Sequence, residues 1–509
     1  MKHLINNLTA LAFVSCMFFG TTSKAKKSVK TPNIVIIYAD DMGYGDVSYQ
    51  NPKGKIQTPN IDKLASEGIQ FCDAHSSSGI CSPSRFALLT GQYHWRRMHN
   101  IVNAFGKSVF KKDEFTLPRM LKKKGYQTAC IGKWHLGWDW KFNLDPNSSK
   151  KSRKKVYAPN ELVTDQPIKG GPLNQGFDYY FGDGTINFPP YAFIENDQFV
   201  EAPTVPLKLK DKRPLEGGWE FRPGPMVKGW DPYNVLPTLT SKMEHYIASQ
   251  KKNKPFFLYL ALPCPHAPII PNEAFRGKSE AGAYGDFVVQ TDDVVGRVNR
   301  ALKRAGLDDN TIVIFTADNG PEKYAYARVR NFDHRSMGKL RGLKRDTWEG
   351  GHRVPFVMKW PKHIKKNSMS DQVISQVDIA STLATIVGYD LERNDAVDSY
   401  NLLPLLEGKR YKEPIRRGTV QNTKKDRYAI RVGDWVLIDS YSGGHTPVPG
   451  WYNKQENYTA DDKSQHGLLF NLKEDPQERN NLFSKYPEKV KMMKNLLDKY
   501  REEGRSRDI

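Results

Sequence analysis

The stretch NIVIIYADD at residues 33–41 decides the fold. Its first seven residues combine β-branched and aromatic side chains without polar alternation, which is typical of a strand buried on both faces of a sheet. Two similar runs follow, PFFLYLAL at 255–262 and TIVIFTA at 311–317, and 354–360 is a fourth candidate. Helical patterns lie between these strands, at 58–68, 117–125 and 283–306. Strands that alternate with helices predict an α/β fold with a mainly parallel sheet covered on both faces.

The chain changes character twice outside this alternating pattern. Residues 141–235 are rich in Pro, Gly, Lys and aromatic residues without clear periodicity. We interpret them as an elaborated set of substrate-facing loops rather than a poorly ordered insertion. After about residue 400, the sequence predicts a small antiparallel α+β unit. Its parts are a hairpin at 427–439, a strand at 467–472 and a closing helix at 487–503.

The N-terminus has the pattern of an export signal. A short basic start precedes an apolar stretch over 8–19, and small residues around Ala25 fit a cleavage site. Cys16 offers lipid anchoring as the alternative, because the residues before it loosely resemble a lipoprotein box. No later apolar run has membrane length. The sequence therefore predicts a periplasmic or secreted protein. Its predicted parts are a signal peptide at 1–25, a main domain at 26–400 and an α+β subdomain at 401–509.

Composition excludes several classes of protein. The 509 residues include 39% hydrophobic and 11% aromatic residues, too many for a disordered chain. The formal charge is +21, and it becomes +19 once the two lysines of residues 1–25 are removed. This balance favours a polyanionic partner such as nucleic acid, sulfated polysaccharide or anionic lipid, although a merely soluble basic surface explains it as well. There is no nucleic-acid motif, and the four cysteines after residue 25 are too few for a disulfide scaffold.

Polar side chains follow all three of the strongest predicted strands. Asp40 and Asp41 follow the first, His266 follows the second, and Asp318 and Asn319 follow the third. The carboxyl ends of parallel strands meet at one edge of a sheet, where ligands bind. Three carboxylates and one amide oxygen select a hard cation, Ca²⁺ or Mg²⁺, over Zn²⁺. The alternative is that these residues only form turns and caps, as Asp and Asn before Gly often do.

The most specific segment is GICSPSRFALLTG at 79–91. Pro83 suits a first helical turn and the residues after it favour a helix, so Cys81 is predicted at a helix N-terminus, where the dipole favours anions. Arg85 lies one turn further along the same face and is placed to hold an anion carried by Cys81. By chemistry alone, a thiolate nucleophile of lowered pKa competes with a buried, inert cysteine.

These motifs together resemble one known family. CSPSR at 81–85, followed by LTG at 89–91, is similar to the signature of the formylglycine-dependent type I sulfatases, which have the alkaline phosphatase superfold. Further segments resemble the family in the same order, namely 33–47, GKWHLG at 132–137, PHAP at 265–268, TADNG at 316–320 and Lys344 before WEGG at 348–351. The pattern is most similar to arylsulfatase A and the N-acetylgalactosamine-6-sulfatases.

The resemblance implies an architecture for the whole chain. A large mixed, mostly parallel sheet sandwiched by helices would form the catalytic domain, with a smaller C-terminal antiparallel α+β subdomain. A maturating enzyme, either a formylglycine-generating enzyme or an anaerobic sulfatase-maturating enzyme, would convert Cys81 to formylglycine. One hydroxyl of the hydrated aldehyde would attack sulfur while the ester alcohol leaves. Loss of the proton from the second hydroxyl would then expel sulfate and re-form the aldehyde.

The resemblance also implies roles for the surrounding residues. A Ca²⁺ ion, with Mg²⁺ less favoured, would be held by Asp40, Asp41, Asp318 and Asn319 together with residue 81 itself. Arg85 and Lys133 would hold the diol and the sulfate, and Lys344 would neutralise sulfate charge in the transition state. One of His135 and His266 would assist deprotonation of the diol. The other, for which His266 is favoured, would protonate the leaving oxygen.

Three functions remain open at this point. The leading hypothesis is a secreted sulfatase acting on a sulfated carbohydrate, either an algal galactan or a glycosaminoglycan oligosaccharide, because the charge, the aromatic residues and the export signal favour a glycan over a small aryl ester. The second is a phosphoester or phosphonate monoester hydrolase of the same superfold, although a single clear metal site favours sulfate. The third is a non-catalytic polyanion-binding protein, which applies if Cys81 is not converted.

Overall fold

The computed structural model describes residues 31–143, 158–207 and 220–507. From Pro32 onward the chain forms one compact unit. The predicted signal peptide at 1–25, with Cys16, lies outside the described residues, as do parts of the 141–235 segment. No helix among the described residues is long and apolar enough to cross a membrane. Cys72, Cys81, Cys130 and Cys264 are all free, which agrees with the absence of a disulfide scaffold in the sequence.

The strands of the described residues cover both the alternating part and the tail of the chain. They are β1 (Asn33–Ala39), β2 (Ile69–Phe71), β3 (Ala74–His75), β4 (Gln127–Lys133), β5 (Tyr179–Gly184), β6 (Ile194–Glu195), β7 (Gln198–Phe199), β8 (Val205–Pro206), β9 (Pro225–Met226), β10 (Phe256–Ala261), β11 (Thr311–Ala317), β12 (Phe356–Lys359), β13 (Ser368–Ser370), β14 (Ile374–Ser375), β15 (Thr419–Lys424), β16 (Arg427–Val432), β17 (Trp435–Ile438) and β18 (Leu468–Asn471).

The α-helices lie between these strands. They are α1 (Pro59–Ser66), α2 (Cys81–Thr90), α3 (Leu117–Lys123), α4 (Val235–Ala248), α5 (Gly282–Ala305), α6 (Ala325–Phe332), α7 (Glu349–His352), α8 (Asp378–Val387), α9 (Leu403–Leu406), α10 (Gly450–Glu456) and α11 (Pro487–Glu502). The predicted helices at 58–68, 117–125 and 283–306 correspond to α1, α3 and α5 and are confirmed.

The main sheet has ten strands in the order β13-β2-β12-β11-β1-β10-β4-β5-β6-β7. Its five central strands, from β11 to β5, are parallel, and β12 and β6 add antiparallel neighbours on either side. The run that decides the fold, β1, lies between β10 and β11, with Ile36 level with Tyr259 and Ile314. The predicted mixed, mostly parallel sheet is therefore confirmed.

Both faces of this sheet are buried, which explains why β1 shows no alternation. Val35 and Ile37 face a core that includes side chains of α1, α4 and α5. Ile34 and Ile36 face a second core that includes side chains of α2, α3 and α8. Every residue of β1 is buried, so neither face of the strand needs polar residues.

The tail forms a separate four-stranded antiparallel sheet in the order β15-β16-β17-β18. The predicted hairpin is formed by β16 and β17, the predicted strand at 467–472 is β18, and the closing helix is α11. Helix α11 places Val490, Met493 and Leu497 against apolar residues of this sheet. Ala87 of α2 belongs to the same core, so the small sheet packs behind the helix that carries Cys81.

Two of the five central, parallel strands of the main sheet were not predicted from the sequence. Strand β4 reads QTACIGK and β5 reads YYFGDG, and neither has a long β-branched run. They are strands because each pairs in parallel with its neighbour, β4 with β10 and β5 with β4. The segment 141–235 therefore contains more than loops, since it supplies a central strand of the sheet.

Candidate active site

The carboxyl ends of the parallel strands bring the predicted residues to one edge of the main sheet. Asp40 and Asp41 follow β1 directly, and Asp318 and Asn319 follow β11. Lys133 is the last residue of β4. Gly132 precedes it with φ 110°, and a Cβ atom there would collide with the carbonyl oxygen of Ala261. Glycine at 132 therefore lets β4 and β10 stay close at the point where Lys133 enters the site.

Helix α2 begins at Cys81, as the sequence predicts, and all ten of its residues are buried. Cys81 is only 2% exposed, and burial raises the pKa of its thiol, although Lys133 and Lys344 act in the opposite direction. Of the two alternatives that the chemistry of Cys81 left open, burial therefore favours the buried thiol over a thiolate of lowered pKa. Arg85 reaches Asp318 Oδ2 from Nη2 at 2.7 Å and Asp40 Oδ1 at 3.5 Å.

Acidic groups and Cys81 lie close enough together to share one cation. Potential ligand atoms of Asp40, Cys81 and Asp318 all lie within 4.8 Å of one another, and those of Asp40, Asp41 and His266 form a second such group. Asn319 Nδ2 donates to Asp41 Oδ1 at 2.8 Å, which fixes the amide and turns its oxygen away from that bond. Asn319 Oδ1 and Asp40 Oδ1 are buried without a hydrogen-bond partner among the described residues. Unpartnered buried oxygens fit a bound hard cation.

The electrostatics of the acidic cluster also favour a bound cation. Burial and the neighbouring Asp40 raise the pKa of Asp318 to about 7. Burial also opposes ionisation of Asp40, but the Lys133 ammonium holds the pKa of that carboxyl well below its usual range. A divalent cation between these carboxylates would favour the ionised form of both. The donor set therefore fits a hard cation.

Two lysines are held at the edge of the acidic cluster by ion pairs. Lys133 Nζ lies 2.5 Å from Asp40 Oδ2, and Lys344 Nζ lies 2.7 Å from Asp41 Oδ2. Glu322 lies 3.8 Å from Lys344 Nζ and is itself held by two bonds from Arg345, of 2.6 and 2.7 Å. Neither Glu322 nor Arg345 was predicted from the sequence. The one signal in the sequence was their position, since Glu322 lies two residues after TADNG and Arg345 directly follows Lys344.

The two histidines occupy different environments. His135 is buried with φ 53°, its Nε2 donates to the carbonyl oxygen of Val102 at 2.9 Å, and its Nδ1 has no partner among the described residues. The Val102 N–H in turn donates to Ser82 Oγ of α2 at 3.0 Å. His266 Nε2 lies 3.6 Å from Asp41 Oδ2, and its side chain is 11% exposed. Burial lowers the pKa of both imidazoles.

Comparisons with known proteins agree with this arrangement. Residues 32–389 match the sulfatase family, and residues 343–443 match the C-terminal region of N-sulphoglucosamine sulphohydrolase. The chain is 33% identical to an N-acetylgalactosamine-6-O-sulfatase of Bacteroides thetaiotaomicron, over 98% of this chain and 99% of that protein. It is 29% identical to human N-acetylgalactosamine-6-sulfatase, over 89% of this chain and 82% of that protein.

A solved structure is similar to this chain in fold and in sequence. It comes from work on the metabolism of multiple glycosaminoglycans by Bacteroides thetaiotaomicron. It superposes with a TM-score of 0.76 at 30% identity, over 93% of this chain and 100% of that one. The similarity spans the main sheet, the edge that collects the predicted residues, and the tail. The chain belongs to the sulfatase family, and its enzyme class is that of a sulfuric ester hydrolase.

Proposed function

We propose that this enzyme removes sulfate from a sulfated carbohydrate, using formylglycine at position 81 and a bound Ca²⁺ ion. The observation that carries the proposal is the position of Cys81. It begins α2 beside Asp40 and Asp318, with ligand atoms of all three residues within 4.8 Å. The carbohydrate is supported by the names of relatives that act on 6-sulfated N-acetylgalactosamine.

The residues of the chain have separable tasks in this proposal. Formylglycine would supply a diol nucleophile, and Ca²⁺ on Asp40, Asp41, Asp318 and Asn319 would supply Lewis acidity and a fixed orientation. Arg85 keeps one buried nitrogen, Nη1, without a partner among the described residues, so it has a donor left for an anion. Lys133 and Lys344 would oppose the growing negative charge on the sulfate oxygens.

The histidines would divide the proton transfers. His135 donates from Nε2 to a backbone carbonyl, so its Nδ1 is the unprotonated atom and suits a base for the diol. His266 is the more exposed of the two and lies beside Asp41, so it suits protonation of the leaving oxygen. Export through residues 1–25 and maturation of Cys81 by a formylglycine-forming enzyme belong to the same proposal, as does attraction of a polyanionic glycan by the basic chain.

The test of this function is sulfate release by protein that has been coexpressed with a formylglycine-generating enzyme. The panel contains N-acetylgalactosamine 6-sulfate, galactose 6-sulfate, glycosaminoglycan oligosaccharides and sulfated algal galactan oligosaccharides. We expect at least one carbohydrate to be hydrolysed with a higher kcat/KM than p-nitrophenyl sulfate. Hydrolysis of aryl sulfate alone, or a preference for p-nitrophenyl phosphate, would contradict the proposal.

Calcium is expected to stabilise the folded protein, whether or not Cys81 is converted. Binding to the native state alone adds about 2.7 kcal/mol to the free energy of unfolding at a concentration 100 times the Kd. Thermal unfolding with and without Ca²⁺ after chelation measures this, and Mg²⁺ should give a smaller rise in Tm. Asp318→Asn should remove the rise. Asp309→Asn, an exposed residue paired with Lys362, should keep it. Full retention of the rise in Asp318→Asn would show that the ion binds elsewhere.

A further inference from the structure

A pocket opens beside the site at the ends of β4 and β5. The cavity volume is about 40 Å³, and the space that includes its open mouth is about 390 Å³. His135 is one of its lining residues. The other walls come from segments 102–106, 137–140 and 183–190. The segment 102–106 is attached to the site itself, because Val102 bonds both Ser82 and His135. A group that leaves the sulfate therefore has this pocket directly beside it.

Asp183 is the buried acid of this pocket. It lies in β5, next to the last residue of the strand, and is 4% exposed. Neither of its carboxylate oxygens has a hydrogen-bond partner on another of the described residues. Burial raises the pKa of this carboxyl to about 6, while Lys133 acts in the opposite direction. Burying a carboxylate without hydrogen-bond partners costs free energy. A ligand that donates hydrogen bonds to Asp183 would remove this cost.

Four aromatic side chains also line the pocket. Phe105, Trp138, Trp140 and Phe188 line it, and the guanidinium of Arg222 lies 3.7 Å above the Phe188 ring. Apolar walls with one or two convergent polar groups are typical of small-molecule sites. A pyranose ring matches this lining, because it offers C–H faces to aromatic rings and hydroxyl donors to a carboxylate. A second carboxylate, as in a uronic acid, would meet repulsion from Asp183.

We propose that Asp183 is a specificity-determining residue, which accepts hydrogen bonds from hydroxyl or amide groups of the sugar that carries the sulfate. The enzyme would then select a neutral hexose or N-acetylhexosamine over a uronic acid. This inference rests on the proposed function, since it needs the sulfate to lie between Cys81 and the cations while the sugar extends toward His135. Asp183 itself takes no part in the cleavage of the sulfate ester.

The test compares binding in protein that cannot turn over. A Cys81→Ser background is titrated calorimetrically with inorganic sulfate and with the sugar sulfate that the coexpressed wild-type enzyme hydrolyses fastest. Adding Asp183→Asn should weaken binding of the sugar sulfate by about 10- to 100-fold, the value of a hydrogen bond to a charged group. Binding of inorganic sulfate should change by less than about twofold, because sulfate makes no contact with Asp183. The ratio of the affinity for this sugar sulfate to the affinity for a sulfated uronic acid should also fall.

Asp178→Asn is the matched control. Asp178 directly precedes the same strand, accepts from the Thr128 N–H at 3.0 Å and pairs with Lys122 at 2.6 Å, away from the pocket. It should leave both affinities unchanged. Asp183→Asn should also leave Tm unchanged or raise it, because it removes an unpartnered buried charge, whereas a purely structural role would lower Tm.

Two results would overturn the proposal. One is an equal loss of affinity for inorganic sulfate and sugar sulfate, which would place Asp183 at the sulfate itself. The other is no loss for either ligand, which would make the carboxylate irrelevant to recognition. Failure of the proposed function would be seen in a different experiment, the substrate panel, in which the wild-type enzyme would release sulfate from none of the carbohydrates.

Discussion

Cys81→Ala is expected to lower kcat for sulfate-ester hydrolysis by at least about 10⁴-fold, the scale on which removal of a catalytic nucleophile acts. No other residue in the site can take over, because formylglycine forms only at this position in the proposal. The fold should survive. Alanine has the highest helix propensity, and Cys81 makes no hydrogen bond that the helix needs at its first position. Circular dichroism and Tm should therefore match the wild-type protein.

The same prediction is checked by mass. The Cys81 peptide of active protein should be lighter than the unmodified peptide by roughly 18 Da, for loss of the thiol and gain of an aldehyde. Cys72→Ala is the matched control, because Cys72 is a free, half-buried cysteine that follows β2 outside the site, and this variant should keep both the mass shift and the activity. An active protein with a plain thiol at Cys81 would contradict the mechanism. An inactive one with a plain thiol would favour the polyanion-binding hypothesis.

The fold was predictable wherever burial alone determines the strand. NIVIIYA and TIVIFTA are buried on both faces of the sheet, which requires apolar side chains at nearly every position. Their predicted bounds equal those of β1 and β11. Strands β4 and β5 were missed because glycines and polar residues interrupt them. Their strand conformation depends on pairing with β10 and with each other, which is a tertiary property and leaves little trace in local sequence.

The site was predictable where residues follow a recognisable strand or a dense motif. Asp40, Asp318 and Cys81 were placed together from the strand ends and from CSPSR, and the structure brings their ligand atoms within 4.8 Å of one another. Asp183 was missed because it lies in a strand that was itself missed. Glu322 and Arg345 were missed for a different reason, since their effect on Lys344 depends on an ion pair that no local pattern encodes.

His266→Ala is expected to lower kcat by about 10²- to 10⁴-fold for a sugar sulfate and much less for p-nitrophenyl sulfate. A sugar alkoxide is a poor leaving group and needs a proton as the bond to sulfur breaks, whereas p-nitrophenolate leaves without one. Burial lowers the pKa of His266 in the free protein, and a bound sulfate ester would oppose this effect, since a nearby anion favours the imidazolium. The leaving-group dependence of kcat therefore reports the role of His266 directly.

His135→Ala is the matched comparison, and the two variants together assign the proton transfers. His135 is proposed to act on the diol after the alcohol has left, so its loss should slow both substrates to a similar extent when that step limits turnover. Single-turnover measurements separate the steps, because the alcohol is released before sulfate. With a sugar sulfate, release of the alcohol should remain fast in His135→Ala and become slow in His266→Ala. The reverse pattern would exchange the roles of the two residues. The stated order follows the proposed function: the bond to Val102 leaves His135 Nδ1 free to accept a proton, and His266, whose Nδ1 lies against the carbonyl oxygen of Ala267, presents Nε2 beside Asp41.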